Sequence, residues 1–226
     1  MHQPLTKRVV VEALGTFFLL AAVVGSGIMA ERLAGGNTAL VLLANTAATG
    51  AALVALIISF APVSGAHFNP VVTIAFALRR DLFAGEVPFY LLAQLVGGIG
   101  GVVAANLMFG LPAVFLSNHP RTGLAQLFSE FIATVGLLSV ILAASRSTVA
   151  VVAVAVGAYI SAAYWFTAST SFANPVVTIA RCLSDTFAGI RPADVPGFIM
   201  AQLAAGIVAT VLFSWLIPAQ PDEQVL

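Results

Sequence analysis

Asn69-Pro70 and Asn174-Pro175 open two copies of one heptapeptide. Asn69-Pro70-Val71-Val72-Thr73-Ile74-Ala75 recurs unchanged as Asn174-Pro175-Val176-Val177-Thr178-Ile179-Ala180. Asn caps helix N-termini through its side-chain oxygen, and Pro suits the first helical position. Each copy therefore reads as a helix start whose Asn keeps an NH2 group free to donate. A helix start also carries about half a unit of positive charge and unpaired N–H groups. Donors in such a field suit a hydroxyl or water oxygen and disfavour a cation or a proton.

A few other residues could do chemistry. Glu12 and Glu130 interrupt long apolar runs. An ionised carboxylate at mid-membrane costs about 2.5–3.5 kcal/mol on insertion scales, so both should face the interior and accept hydrogen bonds. They could relay protons or brace irregular backbone at membrane depth, and the bracing role is the preferred reading. Gln94 and Gln202 recur in matching places and should hydrogen-bond across helices near the heptapeptides. His67, two residues before Asn69, could gate with pH, given an ordinary pKa near 6.5, or act as a neutral loop brace. His2, His119, Arg79, Arg80, Asp81 and Asp185 read as solvated ends, and the single Cys182 as a packing residue. There is no metal-ligand cluster, no Gly-rich phosphate loop and no nucleophile–base pair. Neither a metal, a cofactor nor an enzyme activity is expected.

Elements must hold these residues in a membrane. The 226 residues are 60% hydrophobic and 8% charged, with nine basic and nine acidic residues. The mean hydropathy is +1.05. A soluble surface needs more charge, so the chain reads as an integral membrane protein in contact with a lipid bilayer. The balanced charge argues against nucleic acid as a partner. Six runs can each cross about 30 Å of hydrocarbon: Val9–Ala30, Thr38–Phe60, Val87–Met108, Leu124–Ser145, Thr148–Thr167 and Val195–Ile217. None alternates polar and apolar, so the spans are α-helices. Asn69 to Arg79 gives roughly 16 Å of helix, half a crossing, and the segment from Asn174 to about Leu183 is similar. Two such half-helices from opposite faces can meet start to start at the midplane.

The halves repeat throughout. Glu12-x-x-Gly15-Thr16 matches Glu130-x-x-Ala133-Thr134, and Ala93-Gln94-Leu95 matches Ala201-Gln202-Leu203. Asp81-x-Phe83-Ala84-Gly85 matches Asp185-x-Phe187-Ala188-Gly189. A single domain, 1–226, thus holds two repeats of about 1–115 and 116–226, each with three crossings. An odd number inverts the second repeat. With both termini cytoplasmic, Lys7, Arg8, Arg79, Arg80 and Arg146 lie inside and Arg32, Arg121, Arg181 and Arg191 outside, a slight positive-inside bias. Gly97-x-x-x-Gly101 suits close helix packing, within one subunit or between subunits.

The stretch Ser64-Gly65-Ala66-His67-Phe68-Asn69-Pro70-Val71-Val72-Thr73 is similar to the first signature loop of the aquaporins, or major intrinsic proteins. The resemblance covers nearly the whole chain. It implies an all-α membrane protein, an aquaporin-like inverted repeat of six transmembrane helices plus two re-entrant half-helices. It implies a pore in each subunit of a homotetramer, passive transport of small neutral solutes and a bacterial inner-membrane location. In the family, the matching glutamates brace the re-entrant loops, and the residue at His67 faces the pore.

Two departures stand out. Both motifs read Asn-Pro-Val where Asn-Pro-Ala is usual. The family's constriction arginine, three residues after the second Asn, is here Val177. Carrying over the other constriction positions gives Thr49, Ala162 and Ser171. In the family, water-selective members carry aromatic, His and Arg groups there, and glycerol channels keep Arg with two aromatics. Four small or medium side chains imply a wide, uncharged constriction that passes glycerol, urea and undissociated metalloid acids such as arsenous acid, and water as well. A Val at this position resembles the aquaporin-like channels linked to bacterial arsenic resistance. A coupled secondary transporter and a water-selective aquaporin are the alternatives.

Overall fold

The structure is a computed structural model and describes residues 3–217. Six long helices are present: α1 Leu5–Leu33, α2 Thr38–Ser64, α4 Val87–Met108, α5 Leu124–Ala144, α6 Val149–Phe166 and α8 Val195–Leu216. Two short ones, α3 Pro70–Leu78 and α7 Pro175–Arg181, follow α2 and α6. All six long helices have the length and hydropathy to cross a membrane. The fold class read from the sequence holds. His2 and the C-terminal end of the chain lie outside the described residues.

Three boundaries differ from expectation. α1 starts at Leu5, because Arg8 has a partner that fastens its first turns. The guanidinium pairs bidentately with Glu86, Nη1 to Oε2 at 2.7 Å and Nη2 to Oε1, at the head of α4. α2 runs past Phe60 to Ser64, with Pro62 inside its last turn. Gly65, at φ +89°, then ends it in the left-handed region that glycine accepts without strain. α7 stops at Arg181, two residues shorter than α3.

Apolar side chains point both ways. Leu14, Phe18, Leu92, Val96, Val154 and Val211 are exposed on the long helices. Water would penalise such a belt, whereas hydrocarbon accepts it. The interior instead holds polar groups, with Glu12, Glu130, Gln94, Gln202, Thr73 and Thr178 fully buried. Helices approach closely to enclose them. A Cβ at Gly97 would sit 2.1 Å from the Ala13 carbonyl oxygen, and one at Gly101 2.2 Å from that of Phe17. This glycine spacing therefore serves the α1–α4 contact within one chain.

Candidate functional site

The two heptapeptides fold as their sequence dictates. Asn69 accepts the Val71 N–H at 2.9 Å, and Asn174 accepts those of Val176 and Val177 at 3.0 and 3.3 Å. Pro70 and Pro175 occupy the first helical positions. The amides do more than the sequence suggests. Asn69 Nδ2 donates to the Ala173 carbonyl and Asn174 Nδ2 to that of Phe68, each at 2.8 Å. Each asparagine thus ties the opposite loop and keeps one of its two N–H groups for the cavity it lines.

The loops ahead of the asparagines are strained. Ala66, Phe68, Thr170, Ser171 and Ala173 have φ between +48° and +61°. A left-handed conformation costs an L-residue about 1–2 kcal/mol. The glutamates hold it in place. Glu12 accepts the His67 N–H at 2.9 Å and the Phe68 N–H at 2.7 Å. It also takes Ser64 Oγ at 2.7 Å and Gln94 Nε2 at 2.8 Å. Glu130 accepts the N–H groups of Phe172 and Ala173 at 2.8 and 2.9 Å, and Gln202 Nε2 at 2.6 Å. Gln94 and Gln202 donate onward to Thr73 and Thr178, each at 2.9 Å. Bonds to a buried carboxylate are stronger than neutral ones and offset both the strain and the burial of charge.

Both asparagines line one cavity of about 300 Å³ that reaches from Ser145, Ser147 and Val149 at one end to Thr49, Tyr164 and Arg181 at the other. Near the first end His67 packs against Phe76 and Tyr90, at ring-centroid distances of 4.8 and 5.4 Å. Its Nδ1 lies 3.2 Å from Thr73 Oγ1. At the other end Thr49, Ser171 and Val177 line the cavity, as the sequence suggests. Ala162 does not: it is exposed on another face of α6. The wall is instead Val152, Val156, Ile160 and Tyr164, a stripe spaced four residues apart. Tyr164 reaches Thr49, with its hydroxyl 3.4 Å from Oγ1. Counting back from Asn174 crosses an irregular loop and loses the helical face.

The expectation of an uncharged, ring-free constriction is corrected too. Phe172, Tyr164 and Arg181 all line the cavity. Arg181 lies four residues beyond Val177, on the same face of α7, and helical side chains lean back toward the N-terminus. Its guanidinium sits 3.5 Å from the Phe172 ring centroid, and Nε donates to the Ala188 carbonyl. A second guanidinium, Arg121, lies 4.8 Å from the same ring. It is held by the carbonyls of Gly189 at 2.8 Å and Ser169 at 2.9 Å. The sequence reading counted both arginines as loop charges.

Other assigned ends also have partners. Arg79 reaches Asp81 at 3.3 Å and the Ile217 carbonyl. Asp185 accepts the Asn118 N–H at 2.8 Å and its Nδ2 at 3.1 Å. The backbone N–H of Asn118 is the largest influence holding this carboxyl below its ordinary pKa. His119 is pushed down, first by burial and then by Arg121 and Arg181. Cys182 is half-buried, and its carbonyl accepts the Ser117 N–H at 2.9 Å.

Six crossings and two opposed half-helices around a lined cavity define a membrane channel architecture. The profile of the major intrinsic protein family matches residues 1–148, and the chain belongs to that family. It is 53% identical to "Aquaglyceroporin AqpS" of Rhizobium meliloti (strain 1021), over 96% of this chain and 93% of that protein. It is 31% identical to "Aquaporin NIP6-1" of Arabidopsis thaliana, over 80% of this chain and 60% of the plant protein. The X-ray structure of the aquaglyceroporin from Plasmodium falciparum superposes with a TM-score of 0.72 at 24% identity, covering 94% of this chain and 95% of that one.

Proposed function

We propose that the protein is a passive channel for small neutral solutes, glycerol among them, and that urea, water and trivalent metalloid acids such as arsenous acid share the path. The observation that carries this is the cavity past Asn69 and Asn174, whose free N–H groups can replace the water a hydroxyl compound sheds on entry. Near Val177 the wall is two-sided. The rings of Tyr164 and Phe172 suit C–H groups, while Thr49, Ser171 and Arg181 suit hydroxyls. Such a wall fits a polyol better than it fits water alone.

The coupled-transporter alternative loses support. It needs a carboxylate with a change of partner, and Glu12 and Glu130 are occupied by backbone N–H groups and glutamines. The same geometry favours brace over relay. The 53% identity to a bacterial aquaglyceroporin supports a bacterial inner-membrane location. We place both termini in the cytoplasm, so that Arg181 faces outward, and we assign a homotetramer, as the family resemblance implies. Arg8, Arg79 and Arg80 then lie inside.

Light scattering of proteoliposomes challenged with water, glycerol and arsenous acid tests the proposal. Rapid swelling in glycerol and arsenous acid, linear in concentration, is expected. Water flux alone would rule out the solute range, and saturable, gradient-coupled uptake would restore the transporter.

A further inference from the structure

Arg181 is 1% exposed, yet its Nη1 has no hydrogen-bond partner in the protein. Buried donors are nearly always paired, so an orphaned guanidinium nitrogen against a cavity points to a ligand that comes and goes. Ser171 Oγ, on the same cavity, is orphaned too. Among the described residues the ion pairs are Arg8–Glu86, Arg79–Asp81 and Arg191–Asp194, and none involves Arg181 or Arg121. Two buried guanidiniums thus share the Phe172 ring without a carboxylate bonded to either. Arg121 spends its donors on carbonyls and a hydroxyl, which makes it the scaffold. Arg181 lines the cavity with one donor unspent and its charge unpaired by a carboxylate.

We propose that Arg181 is the specificity-determining cation of the outer constriction. It repels protons and metal cations, and its Nη1, with Ser171 Oγ, binds the oxygen of a passing neutral solute. This role presupposes the open pore proposed above. Val177 leaves the usual arginine position empty, and the charge returns from one helical turn further on. The neighbouring position on the path is then small enough for a larger solute.

Arg181→Met keeps much of the side-chain volume and removes charge and donors. In proteoliposomes carrying an internal pH dye and clamped with a potassium diffusion potential, its proton flux should rise about tenfold or more over wild type, from loss of a fixed charge in a low-dielectric path. Loss of the Nη1 donor should also change glycerol-driven swelling, by several-fold rather than to zero, because the neutral solute keeps both asparagines. Unchanged proton flux with intact swelling would make Arg181 a structural prop and overturn the proposal. If Arg181→Met does not insert, Arg181→Lys and Arg181→Gln take its place. Lys should keep the proton barrier and Gln should lose it, and equal leakage through the two would overturn the proposal. Absence of glycerol swelling in wild type would instead remove the channel itself, and the proposal with it.

Discussion

The two ends of the pore are built from matching positions with opposite chemistry. His67, Phe76 and Tyr90 in the first repeat correspond to Phe172, Arg181 and Phe198 in the second, by offset from Asn69 and Asn174 and from Gln94 and Gln202. In one, an imidazole packs 4.8 Å from a phenyl ring. In the other, a phenyl ring packs 3.5 Å from a guanidinium. The frame behind them is duplicated almost bond for bond: carboxylate to two loop N–H groups, glutamine to carboxylate and threonine, asparagine to the opposite carbonyl. Duplication has preserved what holds the backbone and released what faces the solute. A titratable ring stands at one end and a permanent charge at the other.

Removing the carboxylates tests how equal the two frames are. Glu12 takes four donors and Glu130 three. Glu12→Leu should cost about 4 kcal/mol or more, taking the low end of about 1–3 kcal/mol for each of the buried donors stranded. Glu130→Leu should cost less, and thermal unfolding in detergent ranks the pair. A larger loss for Glu130→Leu would mean that the Ser64 hydroxyl contributes nothing to the first frame.

Next comes helix packing. Gly97 in α4 corresponds to Ala205 in α8. The first repeat has no room for the methyl group that the second already carries. Gly97→Ala should destabilise by about 2–3 kcal/mol through overpacking, and Ala205→Gly by about 1 kcal/mol. Comparable midpoints for the two variants would show that α1 can shift away from α4 freely.

Backbone strain distinguishes the loops more gently. Gly65 corresponds to Thr170, a β-branched residue held at φ +61°. Thr170→Gly should raise stability by up to about 1 kcal/mol and Gly65→Thr lower it by about 1–2 kcal/mol. Calorimetry that found Thr170→Gly destabilising would show that the Thr170 hydroxyl, 3.4 Å from Arg121, matters more than the strain.

The smallest effect belongs to Asp185. Its folded pKa is depressed, so what it adds is present above the unfolded value and is lost as pH falls through the folded one. The protection factor of the Asn118 amide, taken against the intrinsic exchange rate at each pH, should fall in acid, below roughly pH 4. Asp185→Asn should exchange faster at pH 7 and show no further acid step. An acid step surviving in the variant would assign the effect to another group.

Much of this was legible in the sequence, because the signals were local. Asn-Pro capping needs only neighbouring residues, and a carboxylate in an apolar run needs a partner wherever it lies. Tyr164 could have been found as well, from the Val156, Ile160, Tyr164 spacing. Arg181 and Ala162 were misread for a different reason. Their places depend on which way a side chain leans and on how an irregular loop turns, and counting residues conveys neither. The crossed amides were hidden too, since nothing near Asn69 announces a carbonyl 104 positions away.

Those crossed bonds also dictate an order of assembly. Asn69 and Phe68 find their partners at Ala173 and Asn174, more than a hundred residues later in synthesis. While the second repeat is still emerging, the first can satisfy Glu12 from its own α1, α2 and α4, but half of its central seam stays open. The channel therefore comes into being at one late moment, when α7 docks. A chain halted before α7 would leave a polar gap in the bilayer, a natural handle for quality control.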